Sequence, residues 1–341
     1  MTVTDRTFKD PQLERAFLRD GYVTIPGLIA DDVMWWRRLY AQTHPRHSTD
    51  PTRAPFVAFG DTPADWCDRR WPGTLFQTGI FELEPPARAL VDEVVIPRWD
   101  AIAARVLADH DPLIWSFVMK WPGDDSVMPL HQDPTVVDER EHTSVTVWLA
   151  LDDTDAELDN GPLHLIPASH RFGAEVRGAG NTPSYQDKLR GVWRLAVPIA
   201  TRAGDALISD SRLLHGSPPN RSSAPRLAVS CSMGPRGAEV VFPVAAANGI
   251  DVHLVDVGAA FLRRHFSPSV YNSPPPLDDR PIVATVPAIT EPIRLPGFDQ
   301  VGDVADLAPV HVPPTPRPAR RSAATQIIKA ARRWIMLDRR S

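Results

Sequence analysis

At 341 residues the chain exceeds the usual single domain of roughly 100–200 residues, but all-β units commonly run to about 250, so one main domain with additions is expected. A formal charge of -5 and a pI near 6.1 exclude a global basic field, and with it nucleic acid as a default partner. Two cysteines (Cys67, Cys231) make no disulfide framework, the N-terminus lacks a secretory pattern, and no apolar run reaches the ~18 residues that span a bilayer, so a cytoplasmic protein is expected.

Over residues 11–19, Leu13, Ala16 and Phe17 recur at helical spacing, and Gly21 is placed to stop the helix. Residues 22–26 read as a short strand. A second helix follows Asp31 or Asp32 as cap, with Val33, Trp36 and Tyr40 forming an apolar stripe and Arg37 and Arg38 outside it. Residues 44–70 turn to Pro, Asp, Thr and Arg, a long irregular segment of the kind that forms lids and binding loops. The spacing of Trp99, Ile102, Val106 and Leu107 predicts a third helix over 97–110.

The period then changes from helical to alternating. Residues 113–121 place Leu113, Trp115, Phe117, Met119 and Trp121 on one face, with Ser116 and Lys120 on the other. Residues 144–151 alternate again, with Ser144, Thr146 and Trp148 sharing one side. Further strands are expected at 163–166, 193–199, 206–209, 226–233 and 239–243. Short strands separated by Gly, Pro, Asn and Asp predict a β-sandwich or jelly roll, and no strand–helix–strand alternation supports a doubly wound fold.

Between the first two of these strands lies the motif His131-Gln132-Asp133. Residues i and i+2 of an extended segment project to one side, so His131 and Asp133 supply two of the three ligands of a 2-His-1-carboxylate site for Fe(II). The third is sought where a histidine ends a strand after a tight turn, and His215 follows such a turn and strand at 202–210. Arg226 opens a strand whose same-face neighbours are Ala228, Ser230 and Ser232. A buried guanidinium there suits a dicarboxylate, which it can bind with two hydrogen bonds.

These residues resemble the phytanoyl-CoA dioxygenase family of Fe(II)- and 2-oxoglutarate-dependent oxygenases. The resemblance rests on His131-Gln132-Asp133, on Asn160-Gly161-Pro162 running through to Ser169-His170-Arg171, on the series His215, Ser217, Asn220 and Arg226, and on an opening at 17–23. It covers roughly residues 17–243. It implies a double-stranded β-helix (jelly-roll, cupin-like) core with supporting N-terminal helices, iron held by His131, Asp133 and His215, and 2-oxoglutarate paired with Arg226 and helped by Ser217. Trp148 and Gln132 match positions lining the cosubstrate pocket in relatives, and Gln77 and Ser116 are further candidates. The implied chemistry uses O2 to convert 2-oxoglutarate to succinate and carbon dioxide while hydroxylating an unactivated carbon of a small organic substrate, with specialised metabolism as one setting that suits it. Desaturation, epoxidation and cyclisation are variants of the same chemistry. Halogenation is disfavoured because Asp133 is present.

Other residues carry blander expectations. Lys120 either neutralises a carboxylate near the pocket mouth or is solvated at a strand end. His164 and His170 read as strand and turn residues, His142 as a loop residue, His253 and His265 as lacking a partner at metal-binding spacing, and Cys231 as a core residue.

Beyond Phe266 the composition shifts. Thirteen prolines between Pro268 and Pro318 predict an extended, poorly hydrogen-bonded strap. A helix is expected over 322–337, within a stretch from Arg317 to Ser341 that holds eight Lys/Arg and one Asp (8 − 1, a local charge of +7). It suits a dimer, partner or membrane-surface contact. The expected organisation is therefore an oxygenase domain at 1–266, a strap at 267–321 and a basic helix at 322–341. Two other classes stand beside it, a cupin-like metal protein without redox chemistry and a non-catalytic module recruited by its basic tail.

Overall fold

The computed structural model describes residues 6–43, 76–78, 85–124, 126–171, 174–178, 192–265, 277 and 279–291. The expected loop at 44–70, the basic helix at 322–341 and most of the strap lie outside the described residues.

Local chemistry sets the first elements. Asp10 accepts a hydrogen bond from the Gln12 amide at 2.6 Å and Pro11 occupies the first turn, so helix α1 runs Pro11–Asp20. Gly21 ends it at φ +82°, donating to the Phe17 carbonyl at 2.7 Å. A Cβ at Gly21 would also lie 2.3 Å from His170 Nδ1, so glycine is required there by both backbone and space. Strand β1 (Tyr22–Ile25) follows, and a 3-10 turn over Ala30–Asp32 leads into α2 (Val33–Thr43), which buries Trp36, Leu39 and Tyr40.

After β2 (Phe76–Thr78), helix α3 spans Pro85–Val106, beginning twelve residues (97 − 85) before the expected start and carrying Pro97 in its interior. An interior proline loses a hydrogen bond at a cost of about 3 kcal/mol. Burial of Val91, Val95, Trp99 and Ile102 along one side offsets it. His110 is not helical and instead opens strand β3 (His110–Lys120).

The chain continues through β4 (Met128–His131), β5 (Val145–Ala150), β6 (Leu163–Leu165), β7 (Ala174–Glu175), β8 (Val197–Ile199), β9 (Ala206–Asp210) and β10 (His215–Ser217). The strand expected at 193–199 is shorter, because the Ala196 amide closes a 3-10 turn on the Trp193 carbonyl at 3.0 Å. Then come β11 (Arg226–Pro235), β12 (Val241–Ala245), β13 (Asp251–Asp256), helix α4 (Gly258–His265), β14 (Ile282–Pro287) and β15 (Ile289–Glu291).

Six strands form one antiparallel sheet in the order β1-β9-β5-β11-β3-β2, and four form a second in the order β4-β10-β6-β8. One face of the larger sheet carries Trp115, Phe117, Met119, Val147, Leu149, Leu227 and Val229 and packs beneath α1, α2 and α3. Its other face carries Val118, Trp148, Ala150, Leu207 and Ala228, which meet Leu163 and Leu165 of the smaller sheet. The period-2 alternation thus serves two cores at once. The result is a double-stranded β-helix with helices on one outer face.

The strap expectation needs correction. Within it, β14 pairs with β13 and β15 pairs with β7, so residues 282–291 belong to the domain. The run Ile282-Val283-Ala284-Thr285-Val286 is rich in β-branched residues, and its bounding prolines, Pro281 and Pro287, stand at strand ends where a missing donor is tolerated. Among the described residues no helix is long and apolar enough to cross a membrane.

Candidate metal centre

Strands β4 and β10 are neighbours in the smaller sheet, with His131 directly opposite His215. Directly paired residues project to the same side, and the two rings lie 4.2 Å apart between centroids. His215 opens its strand rather than ending one, and Asp133 lies just beyond β4, where its amide donates to the Ser211 carbonyl at 2.9 Å. That bond fixes the backbone from which the carboxylate projects. Asp133 Oδ1 is 3.9 Å from His131 Nε2 and 3.7 Å from His215 Nε2, and one ligand atom from each residue lies within 4.8 Å of the others. Donors about 2.1 Å from a shared ion stand roughly 3 Å apart at right angles, so small side-chain rotations would close the site on a metal.

Neighbours orient two of the three donors. His215 Nδ1 lies 3.0 Å from the Leu213 carbonyl, which favours the tautomer that leaves Nε2 free to bind. Thr146, on the inner face of β5, donates to Asp133 Oδ2 at 2.5 Å, leaving Oδ1 on the side of the imidazoles. Alternation had placed Thr146 beside Trp148 on one face, but not against Asp133.

Arg226 begins β11 opposite Lys120 on β3 and is only 1% exposed. Its Nη1 donates to the Gly161 carbonyl at 2.8 Å, its guanidinium carbon lies 5.6 Å from the Trp148 ring centroid, and its Nε has no hydrogen-bond partner. Burial pushes its pKa down to about 10, against a raising effect of Asp152, so it remains charged at neutral pH. The Ser217 hydroxyl and the Trp148 indole N–H are also buried without partners. Unsatisfied buried donors are costly. Arg226 Nε and Ser217 Oγ are the groups that a carboxylate would satisfy. Ser217 lies two residues beyond His215 on β10, about 7 Å along the strand, a span comparable to a five-carbon dicarboxylate.

The other expected residues are placed differently. Gln132 donates to the Arg212 carbonyl. Ser116 lies in the cross-strand row Ser116–Ser230–Trp148, but its hydroxyl donates to the Phe117 carbonyl at 2.9 Å. Gln77 is in register with Met119, a residue of the helix-facing core, rather than with the row of Arg226. Asn220 ties the backbone, donating to the carbonyls of Lys120 at 3.0 Å and Ala224 at 2.8 Å. Lys120 is fully buried, not solvated. His164 stacks on Trp193, and Cys231 lies in the core as expected.

Sequence reasoning missed a chain of support behind Arg226. Asp152 accepts from the Leu227 amide at 2.8 Å and pairs with Arg37 of α2, which also donates to the Leu151 carbonyl. It also missed Arg177, which donates to the Asp133 carbonyl at 2.8 Å and forms a buried pair with Glu139 at 2.5 Å. Residues so distant in the chain share no spacing that a single sequence reveals.

Residues 17–228 match the family model described as phytanoyl-CoA dioxygenase. Phytanoyl-CoA dioxygenase 1 of Oryza sativa subsp. japonica is 31% identical over 123 residues, which cover 33% of this chain and 41% of that protein. Phytanoyl-CoA dioxygenase domain-containing protein 1 of Danio rerio is 31% identical over 124 residues, 32% of this chain and 40% of that protein. The matched stretch thus spans about two fifths of the length of these curated relatives. Among solved structures, EvdO2 from Micromonospora carbonacea var. aurantiaca complexed with 2-oxoglutarate is similar at a TM-score of 0.45 and 20% identity, over 70% of this chain and 94% of that one. With its family match running from the first helix through the triad to Arg226, the chain belongs to the phytanoyl-CoA dioxygenase family.

Proposed function

We propose that the protein is an Fe(II)- and 2-oxoglutarate-dependent oxygenase acting on an unactivated carbon of a small organic molecule. In this reading His131, Asp133 and His215 hold the iron, and Arg226 with Ser217 receives the distal carboxylate of 2-oxoglutarate. The observation that carries it is a three-donor cluster on the smaller sheet together with two orphaned buried donors, Ser217 Oγ two residues beyond His215 and Arg226 Nε on the facing sheet. Iron with 2-oxoglutarate and O2 supplies the oxidising power that no side chain of the chain possesses. The protein's own groups orient it. Thr146 fixes the Asp133 carboxylate, the Leu213 carbonyl fixes His215, and Trp148 covers the guanidinium so that water is kept from the carboxylate end. Hydroxylation is the simplest outcome, and desaturation, epoxidation or cyclisation follows if the substrate is held differently.

Anaerobic titration of Fe(II) and 2-oxoglutarate into the purified protein tests this reading through the visible charge-transfer band of direct chelation. The band is expected in the wild type, absent in His131→Ala and weakened in Arg226→Ala. Tight binding of another metal with no band at any 2-oxoglutarate concentration would replace the oxygenase reading with a non-redox cupin-like one.

A further inference from the structure

Lys120 and Arg226 occupy directly opposed positions on paired strands, and both are buried, at 0% and 1% exposure. Two basic side chains brought side by side into a protein interior are unfavourable unless something compensates them. Backbone oxygens supply compensation to Lys120. Its Nζ donates to the Ser126 carbonyl and to the Pro218 carbonyl at 2.8 Å, and stands 3.5 Å from the Ser217 carbonyl. These oxygens come from two separate segments, the turn after β3 and the end of β10.

The aliphatic stem of Lys120 has a second neighbour. Gly161 takes φ +69°, and a Cβ there would fall 2.7 Å from Lys120 Cδ and 2.7 Å from the Pro218 carbonyl. The lysine therefore fills the space that the glycine leaves. The Gly161 carbonyl is the acceptor of Arg226 Nη1. One side chain thus touches the turn that orients the guanidinium and the segment that carries the Ser217 hydroxyl. Asn220 reinforces the same place, holding the Lys120 carbonyl while its amide donates to Ser126 Oγ at 2.7 Å.

We propose that Lys120 is a positioning residue for the distal carboxylate of 2-oxoglutarate. It clamps the Gly161 turn and the Ser217–Pro218 segment on either side of Arg226, so that guanidinium and hydroxyl converge on one carboxylate. This rests on the reading of Arg226 given above. The clamp is placed at the carboxylate end, where its described contacts lie on the Gly161 turn and the Ser217–Pro218 segment.

The test compares two ligands that chelate iron in the same way, 2-oxoglutarate and 2-oxopentanoate, which has the same five-carbon chain without the distal carboxylate. Affinities are read anaerobically from the charge-transfer band of the Fe(II)-loaded wild type, Lys120→Met and Arg226→Ala. Lys120→Met is expected to weaken 2-oxoglutarate by about tenfold or more while leaving 2-oxopentanoate within about twofold of the wild type. A general loosening of the fold would weaken both ligands alike, and that result overturns the proposal. So does an unchanged 2-oxoglutarate affinity in Lys120→Met when Arg226→Ala loses it selectively, and in that case the reading of Arg226 stands alone. If Arg226→Ala itself shows no preference between the ligands, the carboxylate site is misplaced and both readings fall. Should Lys120→Met not fold, Lys120→Gln retains two donors but on a shorter stem that cannot span both segments, and the same ratio of affinities is read from it.

Discussion

Single side chains decide whether this site works. Thr146 is the sharpest case, since its hydroxyl holds Asp133 Oδ2 at 2.5 Å and so fixes which oxygen faces the histidines. Thr146→Val keeps the shape and removes the donor. Hydrogen-bonded supports of metal ligands contribute about 10–100-fold to affinity, so Fe(II) or Co(II) affinity should fall by that order while the circular dichroism spectrum is unchanged. An unaltered metal affinity would show that backbone alone places Asp133. Lys120 makes a second prediction, on stability. Burial first, and the Arg226 charge second, push its pKa down to about 6 from the usual 10.5. Between those values the unfolded chain holds the proton and the folded chain does not, so the penalty is fully present below pH 6 and is relieved as pH rises toward 10.5. Without ligand, wild-type stability relative to Lys120→Met should climb with pH across that window, by at most about 1.4 kcal/mol per pH unit. Urea unfolding of both proteins at pH 6.5, 7.5 and 8.5 measures it, and a flat difference would mean that the amine stays charged.

At the scale of elements, what the sequence revealed and what it hid have separate physical causes. Strands β3, β5 and β11 were legible because one face packs large apolar residues such as Trp115, Phe117 and Met119 under the helices while the other carries smaller or polar ones such as Ser116, Lys120, Thr146 and Arg226, which leaves a period of two in the sequence. Helix α1 was legible because its cap and stop, Asp10 and Gly21, are local chemistry. Helix α3 was misplaced because Pro97 has the signature of a first-turn residue, and only burial of Trp99 and its neighbours makes an interior proline tolerable. The strand β14 was hidden by the prolines around it. Among the candidate site residues, His131 and Asp133 stood out by their spacing two apart, whereas His215 and Arg226 were suggested by a turn-and-strand pattern and a strand face, and by the order of motifs in the family. Gln132 lies between two candidate ligands in the sequence, but adjacency says nothing of direction. In an extended segment the middle residue points the opposite way, and here it finds the Arg212 carbonyl.

On the scale of the whole molecule, the site joins two sheets that otherwise meet through a modest apolar layer. His131, His215 and Ser217 belong to the smaller sheet, while Thr146, Trp148 and Arg226 belong to the larger one, and α2 reaches the same region through Arg37 and Asp152. A ligand set that bridges the sheets should therefore stabilise the fold as a unit, because whatever binds only the native state adds RT ln(1 + [L]/Kd) to its stability. At 2-oxoglutarate one hundred times above its Kd the gain is about 2.7 kcal/mol. In anaerobic thermal melts, Fe(II) should raise the midpoint and 2-oxoglutarate should raise it further. The variants separate the two contributions. Arg226→Ala should keep the iron increment and lose most of the second, because chelation survives while the carboxylate end does not. His131→Ala should lose both, since without a complete donor set there is no ion for the keto acid to chelate. If 2-oxoglutarate stabilises His131→Ala as much as wild type, the dicarboxylate binds independently of the metal, and Arg226 serves a site other than the one assigned to it.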